Sequence, residues 1–267
     1  MNNILKQIVE KKKERIKIFK KKENINNLLS NIKSFKNFSN FKNILKKRTL
    51  EKKISIIAEI KKSSPSAGLL VEDFDPVNIA SIYAENGASF LSVLTEEDFF
   101  LGKLDYIRNI KKKNTLPILC KDFFIDTYQV ALSKSFGADC ILIILAAVDK
   151  VLAKDIYQAA NDLNMSTLIE VHTEKEADLA LNYEDSIIGI NNRNLKTLEI
   201  SLDTTIQLSK ILNSHSNPLV CESGIHSSNE MKLIIDKSNV RNFLIGESLL
   251  TSSDIAAKLK EFTQINL

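Results

Sequence analysis

The sequence predicts a single α/β domain of the (β/α)8 TIM barrel class, preceded by a helical extension. Eight short segments rich in Ile, Val and Leu recur after residue 53 and begin about 27 residues apart on average. Most of them are apolar throughout, which is typical of strands in a parallel sheet that is covered by helices. Eight such βα units are what this barrel requires, and its usual size of roughly 250 residues suits a chain of 267 residues.

The first 50 residues predict helices. Apolar residues recur at helical spacing from Ile4 onward, with lysines between them. Breaks rich in Asn and Ser, at residues 24–27 and again near residue 40, divide this segment, which contains no Pro or Gly that would mark a flexible linker. We therefore expect an extension over residues 1–48 that packs on a catalytic barrel over residues 49–267.

Strands and helices then alternate along the chain. The predicted strands begin at Ile54 (ISIIAEI), Phe90 (FLSVLT), Pro117 (PILC), Cys140 (CILIIL), Thr167 (TLIEV), Ile187 (IIGI), Leu219 (LVC) and Asn242 (NFLIG). The intervening stretches VNIASIYAENGA and TYQVALSKSFGA are predicted helices that end near a Gly able to adopt a left-handed cap. An open doubly wound sheet is the alternative architecture, but it normally carries a GxGxxG turn where this chain has IKKSSPSAG.

Composition excludes several classes of protein. With 44% hydrophobic and 26% charged residues the chain is neither disordered nor collagen-like. Its longest apolar run, residues 140–148, is about half of the ~20 residues that cross a bilayer. The N-terminus also lacks the apolar stretch and cleavage site of a secretory signal. We expect a cytoplasmic protein with no membrane partner.

Charge is spread unevenly along the chain. Residues 1–53 hold 17 Lys and Arg against 4 Asp and Glu, a balance of +13, while the remainder carries −9. A basic segment raises the possibility of a nucleic-acid partner, whose binding would fall steeply with salt. Lysine is abundant throughout this sequence, however, and few aromatic residues lie among the basic ones, so we expect a solvated surface and no nucleic-acid partner.

The cysteines and histidines do not predict a metal site. The three cysteines form no CxxC pair and are expected to be small buried hydrophobes. His172, His215 and His226 are scattered, and none has a partner at metal-ligand spacing. We expect neither a metal nor a cofactor.

Polar side chains stand where the predicted strands end. They are Glu59 and Lys61, Lys121, Glu170, Asn191 and Arg193, Glu222 and Ser223, and Gly246, Glu247 and Ser248. Because barrel active sites lie at the carboxyl ends of the strands, we expect these residues to share one rim. Lys61, Lys121 and Arg193 would present cations to an anionic ligand. The alternative is an internal layer of ion pairs that only closes the barrel.

The loops after the last two strands favour a phosphate ligand. SGI at Ser223 and GES at Gly246 contain small residues that let backbone amides approach an anion, and barrels frequently bind phosphate there. Lysine and glutamate, with ordinary pKa values of ~10.4 and ~4.3, become an acid and a base only if burial and like charges lower one pKa and raise the other. A Schiff-base lysine, at Lys61 or Lys121, is the competing chemistry.

Taken together, the strand-end segments resemble one known family. They occur in the order IAEIKKSSPSAG, DFDP, LSVLTE with FFLGK, LPILCKDFFIDTYQV, LIEVH, IIGINNRNL, ESGI and FLIGESLL. This set closely resembles the indole-3-glycerol phosphate synthase family of tryptophan biosynthesis, from about Ile54 to Leu250. The extension matches only loosely.

The resemblance implies a lyase that acts on 1-(2-carboxyphenylamino)-1-deoxyribulose 5-phosphate, closes a ring and releases CO2 and water. By similarity, Lys121 is the general acid at the ketone oxygen, and Lys61 acts near the substrate carboxylate and in the later elimination. Glu170 is the base or electrostatic partner of the anilino nitrogen, while Glu59 and Asn191 serve dehydration and positioning. The division of roles between the two glutamates stays open.

The resemblance also implies which residues bind substrate. Arg193 would hold the substrate carboxylate and Glu222 a ribulose hydroxyl. The phosphate positions match Ser64, Ser223, Gly224, Gly246 and the backbone of Glu247. Departures from the family pattern fall at Ala67, Cys120 and Asn194. We expect a monomer whose only partner is this small phosphorylated substrate.

Overall fold

The computed structural model describes residues 4–35, 37–194 and 197–265, and within them eight parallel strands close into a barrel. The predicted fold class is confirmed. The barrel strands are β1 (Ser55–Ile60), β4 (Phe90–Leu94), β5 (Ile118–Lys121), β6 (Cys140–Ile144), β7 (Ser166–Val171), β8 (Ile187–Asn191), β9 (Leu219–Glu222) and β10 (Asn242–Ile245). Closure comes from β1, which pairs with β4 on one side and with β10 on the other. All eight predicted strands are present.

A helix follows each barrel strand. In chain order they are α4 (Pro76–Glu85), α5 (Leu104–Lys111), α6 (Tyr128–Ser135), α7 (Lys150–Asp162), α8 (Glu174–Ala180), α9 (Asp203–Ile211), α10 (Ser228–Ser238), α11 (Glu247–Leu250) and α12 (Ile255–Thr263). A 3-10 turn, Leu212–Ser214, extends α9, and a small hairpin of β2 (Ser63–Ser64) and β3 (Gly68–Leu69) follows β1. Gly87 and Gly137 have φ of +99° and +104°, so the left-handed turns predicted after α4 and α6 are confirmed.

The extension consists of α1 (Ile4–Lys22), α2 (Ile25–Ser34) and α3 (Phe41–Leu50). The break predicted over residues 24–27 is too long. Asn24 is the N-cap of α2, and its side-chain oxygen accepts the backbone N–H of Asn27 at 3.0 Å. The predicted break is present but covers only residues 23–24, because asparagine favours a helix cap and the later asparagines lie inside α2.

The first and last helices of the extension, α1 and α3, cover opposite ends of the barrel. Phe41 of α3 is fully buried, and its ring centroid lies 4.3 Å from that of Phe90, the first residue of β4. At the carboxyl end, Ile8 of α1 packs in the core cluster that also holds Phe123, just beyond β5. The extension therefore contributes to the packing at both ends of the barrel.

A buried ion pair anchors α1. Lys12 has a side chain only 3% exposed, and its Nζ atom lies 2.8 Å from Glu97 Oε2 and 2.9 Å from Asp122 Oδ1. Asp122 also accepts the hydroxyl of Thr95 at 2.7 Å. Since Asp122 directly follows Lys121, this contact ties the extension to the strand that carries a predicted catalytic group.

The three cysteines are packed in the interior. Cys120, Cys140 and Cys221 are all buried, as predicted. The sulfur of Cys120, one of the residues that depart from the family pattern, lies 3.3 Å from Thr95 Oγ1, so this residue is packed inside the fold. No helix of the described ranges is long and apolar enough to cross a membrane.

Candidate active site

One pocket opens at the carboxyl ends of the strands and gathers every predicted site residue. Its lining includes Glu59, Lys61, Ser64, Lys121, Glu170, Asn191, Arg193, Glu222, Ser223, Gly224, Gly246 and Glu247, together with Ser248. The parallel strands bring these residues together because their carboxyl ends share one end of the barrel. The expected common rim is confirmed.

Glu59 and Lys61 form the first polar pair of this pocket. Ile60 separates them at the end of β1, so their side chains point the same way, and Lys61 Nζ lies 2.8 Å from Glu59 Oε1. Burial alone raises the pKa of Glu59, but the nearby Lys61 and Lys121 outweigh that cost and lower it. Glu59 is therefore an ionised carboxylate at neutral pH.

Lys121 is the central cation of the site. Its Nζ atom lies 3.2 Å from Glu170 Oε2 and 3.6 Å from Glu222 Oε2. Burial by itself lowers the pKa of Lys121, yet Glu170, Glu222 and Glu59 reverse the effect and raise it. Lys121 is therefore not a lysine whose pKa is lowered by like charges, because its neighbours are opposite charges. Lys121 is a firmly held ammonium group.

The two carboxylates on Lys121 differ in charge state. Burial raises the pKa of Glu170, but Lys121, His172 and Asn191 together bring it well below its ordinary value. For Glu222, burial and the neighbouring Glu170 prevail over Lys121 and raise the pKa to about 8. The predicted glutamate with a raised pKa is thus Glu222. At neutral pH the site holds one ionised and one protonated carboxyl group on the same ammonium.

Asn191 connects this pair to the phosphate loop. Its Nδ2 atom donates to Glu170 Oε1 at 3.1 Å, and its Oδ1 atom accepts the hydroxyl of Ser223 at 2.8 Å and the backbone N–H of Arg193 at 3.0 Å. All of its bonds hold neighbouring groups in place. Because the Ser223 hydroxyl is used by Asn191, its backbone is the part of Ser223 that remains to bind an anion.

Two loops form the side of the pocket predicted to bind phosphate. Ser223 and Gly224 leave β9 with φ of 66° and 83°, and a Cβ atom on Gly224 would meet the side chain of Ile200. Gly246 caps the short helix α11 and lies against Glu59. Ser64 completes this side from the hairpin after β1, where its hydroxyl accepts the backbone N–H of Ala67 at 3.2 Å.

Arg193 reaches the pocket but is not a free cation. Its guanidinium lies 3.4 Å from Glu247 Oε2 and donates to the carbonyl of Leu198 at 3.4 Å. Lys61 and Lys121 are paired as well. The sequence predicted a mouth with cations ready for an anionic ligand. In the structure each of them contacts a carboxylate, because the same strand ends that supply lysine and arginine also supply glutamate.

Gly189 is a site residue that sequence reasoning missed. It lies in β8, within the barrel wall, and a Cβ atom there would overlap Glu222 Oε1 and approach Leu168. A glycine inside a strand can mark a close approach of another group. The single Gly of IIGI was the available signal.

We expect Gly189→Ala to destabilise the protein by about 1–3 kcal/mol, since the added methyl group overpacks the barrel interior. It should also lower kcat because Glu222 must move off Lys121. Urea unfolding and turnover measure the two effects. Gly68→Ala separates steric overlap from backbone strain, since nothing lies within 4 Å of a Cβ there and its cost comes from the φ of +67° alone. Equal stability of Gly189→Ala and wild type would contradict this account of the glycine.

An apolar wall faces the polar groups, and sequence reasoning missed it too. Its side chains come from the barrel, from two loops and from the extension, and they are Ile4, Leu5, Ile8, Leu94, Phe100, Phe123, Leu142, Ile144 and Leu244. The helical stripe of α1 was predicted, but only the tertiary structure shows that it faces the site. His172 was also missed, and it lies 3.2 Å from Glu170.

Comparison with known proteins agrees with this geometry. Residues 5–262 match the family model described as indole-3-glycerol phosphate synthase. The chain is 41% identical over 261 residues to the indole-3-glycerol phosphate synthase of Albidiferax ferrireducens, covering 98% of each chain. It is 41% identical over 265 residues to that of Legionella pneumophila strain Lens, again covering 98% of each. Among solved structures, a chain from Aquifex aeolicus VF5 aligns with a TM-score of 0.63 at 12% identity, covering 85% of this chain and 98% of that one. A 3-hexulose-6-phosphate synthase aligns with a TM-score of 0.62 at 13% identity, covering 79% and 98%, which shows the barrel fold alone.

Proposed function

The chain belongs to the indole-3-glycerol phosphate synthase family, and from this premise we propose how the groups of its pocket share the reaction. The enzyme acts on a small phosphorylated substrate in tryptophan biosynthesis. It joins the ring carbon that bears the carboxylate to the ketone carbon of 1-(2-carboxyphenylamino)-1-deoxyribulose 5-phosphate. CO2 and then water leave, and indole-3-glycerol phosphate results.

Lys121 is the proposed acid for ring closure. As the new C–C bond forms, the ketone oxygen gains negative charge and takes a proton from the ammonium group of Lys121. The observation that supports this role is the placement of Lys121 between Glu170 and Glu222, which keeps it charged inside the pocket. Positioned proton donors of this kind contribute about 10²–10⁴-fold to rate.

The same observation argues against Schiff-base chemistry at Lys121. A lysine attacks a carbonyl only as a neutral amine, and enzymes that use it lower its pKa. Here the neighbouring Glu170, Glu222 and Glu59 raise the pKa of Lys121. Proton transfer is therefore the better supported use of this residue.

The later steps fall to Glu170, Glu59 and Lys61. Glu170, ionised and held by Asn191, stabilises the positive charge that develops at the anilino nitrogen and accepts its proton. Lys61, paired with Glu59, protonates the departing hydroxyl near the end of β1, and Glu59 balances its charge. Glu222, protonated at neutral pH, donates to a ribulose hydroxyl.

Binding is divided between the two sides of the pocket. The carboxyphenyl ring packs on the apolar wall against Ile8 and Phe123, and Arg193 takes the carboxylate. The phosphate lies at Ser64, Ser223, Gly224, Gly246 and the backbone of Glu247. Backbone N–H groups bind anions without needing a free cation, which suits a site whose cations are already paired.

Arg193 and Glu247 offer a test of this arrangement. The substrate carboxylate must replace Glu247 on Arg193, so we expect Arg193→Gln to raise KM about tenfold to a hundredfold, the range for a hydrogen bond to a charged group. Glu247→Gln keeps the backbone amide and frees the guanidinium, so KM should stay equal or fall. Steady-state kinetics measure both. For a substrate analogue without the carboxylate, Arg193→Gln and wild type should have the same KM. If Arg193→Gln leaves KM for the full substrate unchanged, the carboxylate binds elsewhere.

The reaction itself is tested with purified protein and the carboxyphenylamino substrate. Indole fluorescence should rise in step with CO2 release, and the gene should restore growth to a tryptophan auxotroph. Folded protein that yields no indole product would overturn the proposal. We further propose a cytoplasmic monomer made of an extension over residues 1–48 and a barrel over residues 49–267. Sedimentation at micromolar concentration tests the monomer.

A further inference from the structure

His172 has no part in the mechanism above, yet it lies against Glu170. Its Nε2 atom is 3.2 Å from Glu170 Oε1, and its Nδ1 atom is 3.4 Å from Glu176 Oε2. The imidazole is 8% exposed and is thus enclosed between two carboxylates. Glu176 of α8 is itself fixed, because its Oε2 atom accepts the backbone N–H of His172 at 2.7 Å.

This placement favours a protonated ring. A neutral imidazole carries one N–H and one acceptor nitrogen, so one of its two nitrogens would face a carboxylate oxygen without a proton between them. Neither nitrogen makes a well-aligned hydrogen bond with these carboxylates, so an imidazolium would interact with both through its charge at 3.2 and 3.4 Å. Burial alone lowers the pKa of His172, but Glu170 and Glu176 more than compensate and raise it to about 9.

The charge balance of the pocket points the same way. If Glu59, Glu170 and Glu222 were all ionised, they would exceed the ammonium groups of Lys61 and Lys121 by one negative charge. Glu170 and Glu222 both lie on Lys121 and compete for a proton. The charge of His172 lowers the pKa of both carboxyl groups, but His172 contacts only Glu170, so the effect on Glu170 is the stronger one and the proton stays on Glu222.

We propose that His172 is a positioning residue which, as an imidazolium held by Glu176, fixes Glu170 beside Lys121 and keeps it ionised. The charged groups that act on its ring are Glu170 from β7, Glu176 from α8 and, beyond Glu170, Lys121 and Glu222. This inference rests on the proposed function, because it assigns His172 to a residue that the proposal uses as an ionised base.

The protonation of the ring is measured directly by NMR of histidine labelled with 15N in the imidazole. We expect His172 to remain protonated through pH 8 and to titrate near pH 9. In Glu176→Gln, which retains an acceptor for the backbone N–H, the titration should move to lower pH. A ring that is neutral at pH 7 would overturn the proposal. This readout needs no turnover, so it stands even if the proposed reaction fails.

Kinetics then test the effect on Glu170. His172→Gln should lower kcat about tenfold to a hundredfold with KM little changed. The acid limb of the kcat profile should move to higher pH, because Glu170 protonates more easily without the imidazolium. The step near pH 9, where wild type loses the imidazolium, should disappear.

His215→Gln is the matched control. His215 is a half-buried histidine near the amino-terminal end of β9, with its Nε2 atom 2.9 Å from the carbonyl oxygen of Ser186. The His215→Gln variant should leave unchanged both the acid limb of the kcat profile and the step near pH 9. A uniform loss of kcat in His172→Gln, with both limbs unmoved, would show a merely structural role and overturn the proposal. Should that variant fail to fold, Glu176→Gln decides, since it should shift the acid limb in the same direction by a smaller amount.

Discussion

Lys121→Met is expected to lower kcat about a thousandfold while the barrel stays folded. The variant removes the proposed proton donor and retains an unbranched side chain of similar length. Glu170 then loses the ammonium group beside it and takes up a proton more easily, since a buried charge without that partner is costly. Single-turnover measurement of indole fluorescence isolates the chemical step. A loss of less than tenfold would remove Lys121 from the role of acid.

Lys111→Met is the matched control for that variant. Lys111 is also a buried lysine, and its Nζ atom lies 2.5 Å from Asp139 Oδ2 near the amino-terminal end of β6, away from the pocket. Breaking a buried ion pair costs about 3–5 kcal/mol, so Lys111→Met should lose stability in urea and retain the kcat of wild type. If both variants lose kcat equally, the effect of Lys121→Met reflects damage to the fold.

Glu170→Gln and Glu222→Gln are expected to differ sharply at pH 7. The substitutions are chemically identical and both residues contact Lys121. Glu170 is ionised, so its replacement removes a charge that the reaction uses and should lower kcat about 10²–10⁴-fold. Glu222 is protonated at pH 7, so the neutral amide of glutamine resembles it. The decrease in kcat for Glu222→Gln should therefore stay within about tenfold. Equal losses would contradict the assignment of charge states.

The pH dependence of stability provides an independent check on Glu222. Its pKa is about 8 in the folded protein and 4.5 in the unfolded chain, so the folded state binds more protons between these values. The free energy of unfolding therefore falls as pH rises through this window, by up to about 1.4 kcal/mol per pH unit from this group. Glu222→Gln should lack that contribution. Urea unfolding from pH 5 to pH 8 on both proteins measures the difference. Parallel curves would show that Glu222 is ionised throughout.

Much of the fold could be read from particular segments. Strands such as CILIIL are apolar throughout because both faces of a barrel strand are covered, and that pattern is local in the sequence. The site residues could also be found, since Lys121 and Glu170 are charged groups at the ends of apolar runs. The boundary at Asn24 was misjudged because an asparagine both breaks and caps helices, and the choice depends on the φ and ψ that the chain adopts.

The amino-acid order alone specifies the succession of strands and helices and the set of polar groups at the carboxyl ends of the strands. Tertiary structure decided how those groups pair, because a pKa depends on distances between residues far apart in the chain. The sequence did not determine the direction of the pKa shift of Lys121, which is raised because Glu170 and Glu222 approach it from other strands. The close approach of Glu222 to Gly189 also depends on the closed barrel. Gly189 lies on β8 and Glu222 on the neighbouring strand β9, so the buried carboxyl group fills the space where a side chain at position 189 would be.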